Sequence, residues 1–298
     1  MISEILALMV AVVWAFPPLL YRKALPNVSY LAANLVRSAF GALFLLCVFL
    51  ATFHQFPSVP FGALSLLFLA GITNLVIGDT LFFISLKRVG ISRTQPITSS
   101  YPLFSMILAG VLLGEGITLS IIVGTPMIVL GIAIVSLTGN ENNKTPHSGA
   151  VPFLAGTPYA LGSAFCYAVG FITYKFAMTN GGIDPIFANC VRWLAVIPIL
   201  VIVFMIKKPD RLRSLGKRDV ATLAIGGILE LGIGGTLLFV SLKLGDASRT
   251  IPLLSTTPLF TLVLAAQYAG EKMSLRLLIG TVITVAGIVI IASSAMVL

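Results

Sequence analysis

Long apolar runs alternate with short polar breaks along the whole chain, and this pattern predicts a helical membrane protein. A helix that spans a bilayer needs about 20 mostly apolar residues, and ten runs fit that requirement. Their cores lie at 3–21, 30–52, 62–85, 93–113, 118–138, 151–177, 184–206, 219–242, 249–269 and 274–296. Two breaks are longer than the others, a polar one at 139–149 and a basic one at 207–217. The polar break separates five predicted helices from five.

The two halves repeat each other at a fixed distance along the chain. The segment RTQPITSSYPLFSMILAGVLLGE at 93–115 returns as RTIPLLSTTPLFTLVLAAQYAGE at 249–271, 156 positions later (249 − 93 = 156). The same offset aligns, without a gap, Thr80 with Thr236, Ser85 with Ser241, Lys87 with Lys243, Gly124 with Gly280 and Gly131 with Gly287. A duplication is the economical explanation of such a period. We therefore predict a first repeat at 1–138, a linker at 139–149 and a second repeat at 150–298.

The number of helices in each repeat has a consequence for topology. Because five is an odd number, the two repeats are expected to enter the membrane from opposite sides. Inverted repeats of this kind are a common architecture of secondary transporters, and exchange of conformations between the halves provides alternating access. We therefore expect an all-α integral membrane protein with ten transmembrane helices arranged as two inverted five-helix repeats.

Composition and charge agree with a membrane location. Of the 298 residues, 58% are hydrophobic and only 10% are charged, with a mean hydropathy of +1.06, whereas a soluble domain carries about 25% charged residues. The net charge of +9 comes mainly from basic residues in short loops, where they are expected to face anionic lipid rather than nucleic acid. If the loops after helices 1, 3, 5, 7 and 9 share one side, that side holds most of the basic residues. The positive-inside rule then places both termini outside.

The residues that enzymes and metal sites require are scarce in this sequence. Its three cysteines lie in apolar runs, and its two histidines, His54 and His147, lie in predicted loops. No His and Cys spacing matches a metal site, so we expect no disulfide, no bound metal, no cofactor and no enzymatic activity. The first apolar run follows the acidic Glu4 and lacks a basic N-terminal region, so it is predicted to be a retained helix rather than a signal peptide.

Several motifs present in both halves resemble the EamA type of the drug/metabolite transporter superfamily. They are an arginine in the second helix of each half (Arg37 and Arg192), proline and hydroxyl residues leading into Pro-Leu-Phe, and a Gly-Glu pair closing the fourth helix. The resemblance covers nearly the whole chain and implies a ten-helix carrier for metabolites such as amino acids, nucleotide sugars or organic phosphates. It also implies a cavity lined by helices 1, 3, 4, 6, 8 and 9, and cytoplasmic termini, in contrast to the charge count.

Two proline-bracketed segments occupy matching positions in the halves. A proline inside a helix removes a hydrogen-bond donor and frees carbonyls of the preceding turn, and interrupted helices at matching positions point to the binding site of a transporter. Pro96, Pro102, Pro252 and Pro258 are therefore the predicted hinges. The hydroxyls beside them either satisfy the freed carbonyls or bind a polar substrate; they belong to Ser99, Ser100, Tyr101, Ser255, Thr256 and Thr257.

Charged residues inside the apolar runs form the second group of candidates, because each costs at least about 2.5 kcal/mol at a helix centre on insertion scales. Arg37 and Arg192 are duplicated, each three residues after an asparagine, and a shared packing role is the simpler interpretation. Asp79 and Glu230 have no acidic counterpart, since glycine and asparagine occupy the matching positions. We predict that these two acids line the substrate site and either couple transport to protons or form a fixed ion pair with an arginine.

Two further groups of residues complete the candidates. Glu115 and Glu271 close the fourth helices and are predicted to cap the following helix or to pair with a nearby basic residue, and not to bind substrate. Tyr21 and Tyr174 are predicted to lie in the interfacial aromatic belt. Other aromatic residues would either offer the cavity a stacking surface with a polar tip or lie in the same belt; they are Trp14, Tyr101 and Tyr167.

The sequence therefore predicts a secondary transporter in the plasma membrane that moves a small polar or amphipathic metabolite by alternating access, as an exporter or exchanger. Amino acids or related compounds are favoured by the family resemblance alone, and proton coupling is one option. A facilitative, channel-like pathway without alternating access is the alternative. The expected partners are a small-molecule substrate and the lipid bilayer. A monomer is expected to be competent, with a dimer as the other option.

Overall fold

The computed structural model describes residues 2–24, 28, 30–53, 57–89, 94, 97–138, 156–207, 216–261, 264 and 275–293. Throughout these residues the regular secondary structure is helical and contains no strand, which confirms the predicted all-α class. The predicted hinge Pro96, the glutamate Glu271 and the linker at 139–149 lie outside the described residues.

The helices of the two halves follow in the order that the apolar runs predict. In the first half they are α1 (Ile2–Ala15), α2 (Pro17–Ala24), α3 (Tyr30–Thr52), α4 (Phe61–Gly71), a π-helical segment (Ile72–Gly78), α5 (Asp79–Val89), α6 (Tyr101–Leu113) and α7 (Leu119–Thr138). In the second half they are α8 (Thr157–Asn180), α9 (Pro185–Lys207), α10 (Lys217–Gly227), a second π-helical segment (Ile228–Gly234), α11 (Gly235–Leu244), α12 (Ala247–Leu254) and α13 (Leu275–Ser293).

Many of these helices have the length and composition of membrane spans. Six stretches of the described residues are long and apolar enough to cross a bilayer, namely Ile2–Tyr21, Leu31–Thr52, Phe61–Phe82, Thr157–Asn180, Pro185–Ile206 and Lys217–Leu244. Shorter apolar helices cover Tyr101–Leu113, Leu119–Ile134 and Leu278–Ile291. The protein is therefore a membrane protein with multiple apolar helices.

The predicted helices at 93–113 and 249–269 are not continuous. Residues 99–100 form a turn before α6 begins at Tyr101, and residues 255–256 form a turn after α12 ends at Leu254. The physical reason is the proline that follows each turn by two residues, Pro102 or Pro258. Proline has no amide hydrogen to donate to the carbonyl one turn earlier, so it interrupts a helix, but it is tolerated in the first turn of a new one.

The internal duplication of the sequence is also present in the backbone, as two π-helical segments at matching positions. Ile72–Gly78 and Ile228–Gly234 are separated by the offset found in the sequence (228 − 72 = 156) and have the same length. In a π-helix the backbone bonds run five residues apart, and such segments are often found at functional sites. Asp79 directly follows the first segment, and Glu230 lies inside the second.

Equivalent helices of the two halves pack against each other reciprocally. A side-chain carbon added at Gly71 in α4 would lie 3.3 Å from the backbone oxygen of Arg192 in α9, and one added at the matching Gly227 in α10 would meet the backbone of Arg37 in α3. A side chain at Gly227 would clash with the backbone of Arg37, and one at Gly71 would make a tight contact, so both glycines let helices of the two halves approach closely.

A second reciprocal contact joins α7 to α13. A carbon added at Gly124 would lie 2.9 Å from the oxygen of Gly287, and one added at Gly131 would lie 2.6 Å from the oxygen of Gly280. Small residues allow close helix packing of this kind in membranes. Because the earlier glycine of α7 meets the later glycine of α13, the two helices are antiparallel.

Candidate functional site

The centre of the candidate site is an ion network around Arg37 in α3. Its guanidinium donates from Nη1 to Oε2 of Glu230 at 2.8 Å and from Nη2 to Oδ2 of Asp79 at 3.2 Å. Its Nε donates to Oδ1 of Asn34, one turn earlier on the same helix, at 2.8 Å. The exposed fraction of the side chain is 12% for Arg37, 15% for Asp79 and 27% for Glu230. Arg37 therefore bonds one carboxylate from each half of the chain.

Aromatic residues add hydrogen bonds to both carboxylates. Tyr167 in α8 donates to Oδ1 of Asp79 at 2.6 Å, and Tyr21 in α2 donates to Oε2 of Glu230 at 2.7 Å. Trp14 in α1 donates from Nε1 to the backbone oxygen of Glu230 at 2.9 Å. Each carboxylate thus receives a phenol from the opposite half, so that the network crosses between the repeats at several points.

The charges of this network do not balance. When both carboxylates are ionised, two negative charges share the single guanidinium of Arg37, which leaves a formal net charge of −1. A buried ion pair is stable only when its geometry and additional hydrogen bonds compensate the loss of water. The phenols of Tyr21 and Tyr167 supply those additional bonds. Arg192 interacts electrostatically with both acids without pairing with either, and so offsets part of this excess; a protonated acid or a positively charged ligand group would neutralise it within the network.

The prediction that Tyr21 and Tyr174 lie in an interfacial belt is wrong. Tyr21 bonds Glu230, and Tyr174 is fully buried, with its ring centroid 4.8 Å from that of Phe239. Membrane-belt tyrosine and buried tyrosine have the same amphipathic chemistry, so residue type could not separate them. The signal that the sequence did contain is the pairing of Tyr21 with Tyr174 at the offset of 153 that also pairs Trp14 with Tyr167.

Arg192, the duplicate of Arg37, has different surroundings. Its side chain lies among aromatic rings, with Cζ 4.8 Å from the centroid of Phe239, 5.3 Å from Trp193 and 5.8 Å from Tyr174. Only 3% of the residue is exposed. No ion pair among the described residues includes it. The duplicated arginines are therefore not equivalent, although the sequence pattern treats them alike.

The hydroxyls of the proline-bracketed segments bond their own helices. This satisfies carbonyls near the breaks, which was one of the two roles predicted for them, and contact with substrate stays a prediction. The bonds run from Ser100 to the oxygen of Ile97 (2.6 Å), Ser255 to Pro252 (2.7 Å), Thr256 to Leu253 (2.7 Å) and Thr257 to Leu254 (2.9 Å).

Tyr101 is the first residue of α6, directly after the turn that contains Ser99. The ring of Tyr101 packs edge-on against Tyr167 at 6.4 Å and against Phe171 at 5.6 Å. This contact places Tyr101 beside the phenol that bonds Asp79. Ser99 is buried in the turn, and Pro102 is buried in the first turn of α6. Pro252 lies inside α12, and Pro258 follows its end.

Glu115 forms a second polar link between the halves. Its Oε1 lies 2.6 Å from Nζ of Lys175, and its two carboxylate oxygens accept bonds of 2.8 Å from the backbone amides of Ala247 and Ser248. Lys175 also donates to the oxygen of Gly245 at 2.6 Å. Pairing with a basic residue was predicted. The helix that Glu115 caps is α12 of the other half, and not the following helix α7.

The local backbone explains this difference. α6 ends at Gly114 in the left-handed conformation, with φ of 65°, a common helix ending that reverses the chain direction. The carboxylate of Glu115 then reaches the positive N-terminus of α12. Burial raises the pKa of Glu115, but the ammonium of Lys175 and the amides of Ser248 and Ala247 outweigh it and hold that pKa below its ordinary value.

Comparison with known proteins identifies the family of this chain. The model of the EamA-like transporter family matches the chain twice, over residues 1–137 and 154–293. The chain belongs to the EamA-like transporter family. An uncharacterized transporter of Archaeoglobus fulgidus is 25% identical over 293 residues, which is 98% of both chains. This EamA-like protein is therefore a membrane transporter, as the sequence predicted.

Two further comparisons bear on its architecture. An uncharacterized protein of Methanocaldococcus jannaschii is 29% identical over 133 residues, which cover 44% of the EamA-like chain but 91% of that relative. The relative therefore has about the length of one repeat. A solved crystal structure superposes with a TM-score of 0.81 over 97% of this chain and 98% of its own, at 16% identity. This likeness shows a shared fold.

Proposed function

We propose that this EamA-like protein is a secondary transporter of the plasma membrane that moves a small polar or amphipathic metabolite by alternating access. Ten membrane crossings, arranged as two inverted five-helix repeats, form the carrier. It works as an exporter or exchanger, amino acids or related compounds are the favoured substrates, and one monomer is competent. The family resemblance supports this substrate class.

Inverted repeats are supported by three features of the chain. The matching glycines of α7 and α13 meet reciprocally in an antiparallel pair, as two elements related by a twofold axis across their length would. The π-helical segments repeat at the sequence offset. A relative with about the length of one repeat also exists. Fused repeats of opposite orientation can exchange conformations, which is the physical basis of alternating access.

The observation that carries the proposal is the ion network of Arg37, because its bonds join the two halves at a membrane-embedded site. A rearrangement of the halves must break or exchange the bond from Arg37 to Glu230 or the bond from Tyr167 to Asp79. Ionisable groups buried in membrane spans mark substrate and proton pathways. These contacts support a role of the network both in substrate binding and in the movement of the repeats.

Proton coupling follows from the charge excess of the same network. With both acids ionised, the cluster carries one net negative charge that Arg192 offsets only from outside its ion pairs, and charge in a medium of low dielectric constant is costly unless it is paired. Binding of one proton to Asp79 or Glu230 neutralises the cluster and releases one bond to Arg37. Two carboxylates that share one guanidinium are thus suited to exchange a proton during the transport cycle.

Counterflow in proteoliposomes tests this proposal. Vesicles with the purified protein are preloaded with unlabelled pools of amino acids, sugars, nucleotide derivatives or organic phosphates, and uptake of the labelled pool is followed with and without a pH gradient. We expect transient accumulation of one pool, with a rate that responds to the gradient. Passive equilibration of solutes that preloading does not accelerate would instead establish the channel-like alternative.

A further inference from the structure

The duplicated arginines, Arg37 and Arg192, differ in the ion pairs that they form with acidic residues. Arg37 bonds Asp79 and Glu230, whereas Arg192 is in none of the ion pairs formed by the described residues. Arg192 is also the more deeply buried, with 3% of the residue exposed. Its Nε has no hydrogen-bond partner among the described residues. A guanidinium stays protonated in proteins, so the positive charge persists in this buried position.

Sequence differences at two positions explain the contrast. The offset of 156 matches Asp79 with Gly235 and Glu230 with Asn74, so that neither acid has a counterpart near Arg192. The guanidinium lies directly against Gly235, where an added Cβ would be 2.5 Å from Nη2. In the first half, the side chain at this matching position carries the carboxylate. In the second half the guanidinium of Arg192 itself lies where that side chain would be, and the chain supplies no carboxylate at this position.

Other polar atoms near Arg192 also have no hydrogen-bond partner. They are the hydroxyl of Tyr174, Nε1 of Trp193 and Oδ1 of Asn189, each buried among the described residues. Tyr174 and Trp193 are two of the residues whose rings face the guanidinium. Aromatic faces attract the cation by about 0.5–2 kcal/mol each, but they do not accept its in-plane N–H bonds. Tyr174, Trp193 and Nε of Arg192 are therefore buried donors that an oxyanion could satisfy, whereas Oδ1 of Asn189 is an acceptor.

Arg192 lies next to the Arg37 network, so the site has one part with net negative charge and one with positive charge. The amide of Gly235 donates to the oxygen of Glu230, so the position that Arg192 contacts is one π-helical turn from Glu230. The Arg37, Asp79 and Glu230 cluster carries a formal net charge of −1, and Arg192 carries +1. A solute that contacts both groups would meet carboxylates and a guanidinium that forms no ion pair among the described residues.

We propose that Arg192 binds a carboxylate group of the transported solute, with the hydroxyl of Tyr174 and Nε1 of Trp193 as further donors. This inference rests on the proposed transport function and names the group that its substrate must carry. Arg192 suits this role because a guanidinium binds a carboxylate with two parallel hydrogen bonds. In the second half the solute supplies the carboxylate that Asp79 supplies in the first.

The test introduces a carboxylate beside Arg192 by mutation of Gly235. Gly235→Asp restores the arrangement of the first half and provides an internal partner for Arg192, while Gly235→Asn adds a side chain of nearly the same size without the charge. Purified full-length protein in detergent is titrated with sodium acetate, with sodium chloride and sodium phosphate at matched ionic strength as comparisons. Thermal unfolding temperature is the readout, because a ligand that binds only the folded state raises it.

We expect acetate to raise the unfolding temperature of the wild type and of Gly235→Asn, with chloride having a smaller effect. In Gly235→Asp the half-saturating acetate concentration should rise at least about tenfold, and the ligand-free variant should unfold at a higher temperature than Gly235→Asn. Equal responses to acetate in all three proteins would overturn the proposal. A wild-type response to phosphate alone, or an equal response to every salt, would also overturn it.

Transport separates this inference from the proposed function. If no pool shows counterflow, the transporter proposal fails, while the acetate titration still decides whether Arg192 binds a carboxylate. If a pool without a carboxylate is transported as well by Gly235→Asp as by the wild type, the transport function stands and the role of Arg192 is wrong. We expect counterflow only for carboxylate-bearing pools, and a much lower rate in Gly235→Asp than in Gly235→Asn, because both side chains displace the guanidinium but only the aspartate pairs with it.

Discussion

The hydroxyl of Tyr167 donates a 2.6 Å hydrogen bond to Oδ1 of Asp79, although the two residues are 88 positions apart and belong to different halves of the chain. Tyr21 and Glu230 make the corresponding bond in the opposite sense, from the first half to the second. Both bonds converge on the guanidinium of Arg37 through its two carboxylates. The halves are therefore joined at their centre by polar contacts inside the apolar helices.

Replacing Arg37 should cause a large loss of stability. Arg37→Gln leaves Asp79 and Glu230 buried without their cation, and removal of one partner of a buried ion pair typically costs about 3–5 kcal/mol. We expect a large fall in thermal unfolding temperature in detergent, together with loss of transport. The triple variant Arg37→Gln, Asp79→Asn, Glu230→Gln, which removes all three charges, should recover most of the stability. A single Arg37→Gln variant as stable as the wild type would contradict the network.

The duplicated tyrosines provide a matched pair of variants. Tyr21→Phe removes a hydrogen bond to a carboxylate, and such bonds are worth about 1.5–3 kcal/mol. Tyr174→Phe removes a buried hydroxyl that has no hydrogen-bond partner among the described residues, a change expected to be neutral or stabilising. Chemical or thermal unfolding of both variants should therefore show destabilisation in the first alone. Equal effects would mean that the bond to Glu230 contributes little.

The contact of Glu115 should depend on pH. Its lowered pKa means that the contact contributes stability above the ordinary carboxyl value of 4.5, and that this contribution is lost as the pH falls through the lowered value. We expect the difference in unfolding temperature between wild type and Glu115→Gln to be constant from about pH 5.5 to 7.5 and to shrink below about pH 4.5. The Lys175→Met variant should show the same trend. A difference that grows in acid would contradict the assignment.

The close crossing of α7 and α13 predicts opposite effects of one substitution at two glycines. Gly131→Ala places a carbon 2.6 Å from the oxygen of Gly280, and overpacking of this kind typically costs about 1–3 kcal/mol. Gly62→Ala, also in a helix, meets nothing within 4 Å and should stabilise α4 by about 0.5–1 kcal/mol through helix propensity. Unfolding temperatures that change in the same direction would argue against the packing described.

Periodicity and spacing in the sequence predicted a large part of this fold. The apolar run at 30–52 coincides with α3, and the offset between the halves reappears in the two π-helical segments. Apolar length and duplication are local or one-dimensional signals, so they survive without tertiary information. The breaks at residues 99–100 and 255–256 were not predicted as ends of helices, because the prolines beside them are compatible with a kink or with a new start.

The partners of the charged residues could not be predicted in the same way. Arg37 and Arg192 occur in the same local pattern, yet one bonds two acids and the other lies among aromatic rings. The difference is set by residues far along the chain, at positions 79, 230 and 235, that fold against them. The pairing of Asp79 and Glu230 with Arg37 likewise depends on packing between the halves. Spacing along one helix does not contain this information.

The central claim is that the shared network of Arg37, Asp79 and Glu230 couples transport to protons, and counterflow of conservative variants tests it most directly. Wild type, Asp79→Asn and Glu230→Gln would be reconstituted in parallel and assayed with the solute pool that the wild type accumulates, with and without a pH gradient. We predict transient accumulation by the wild type that responds to the gradient, and loss of that response in at least one variant with protein of normal unfolding temperature. Counterflow of equal rate and equal indifference to pH in all three proteins would contradict the account.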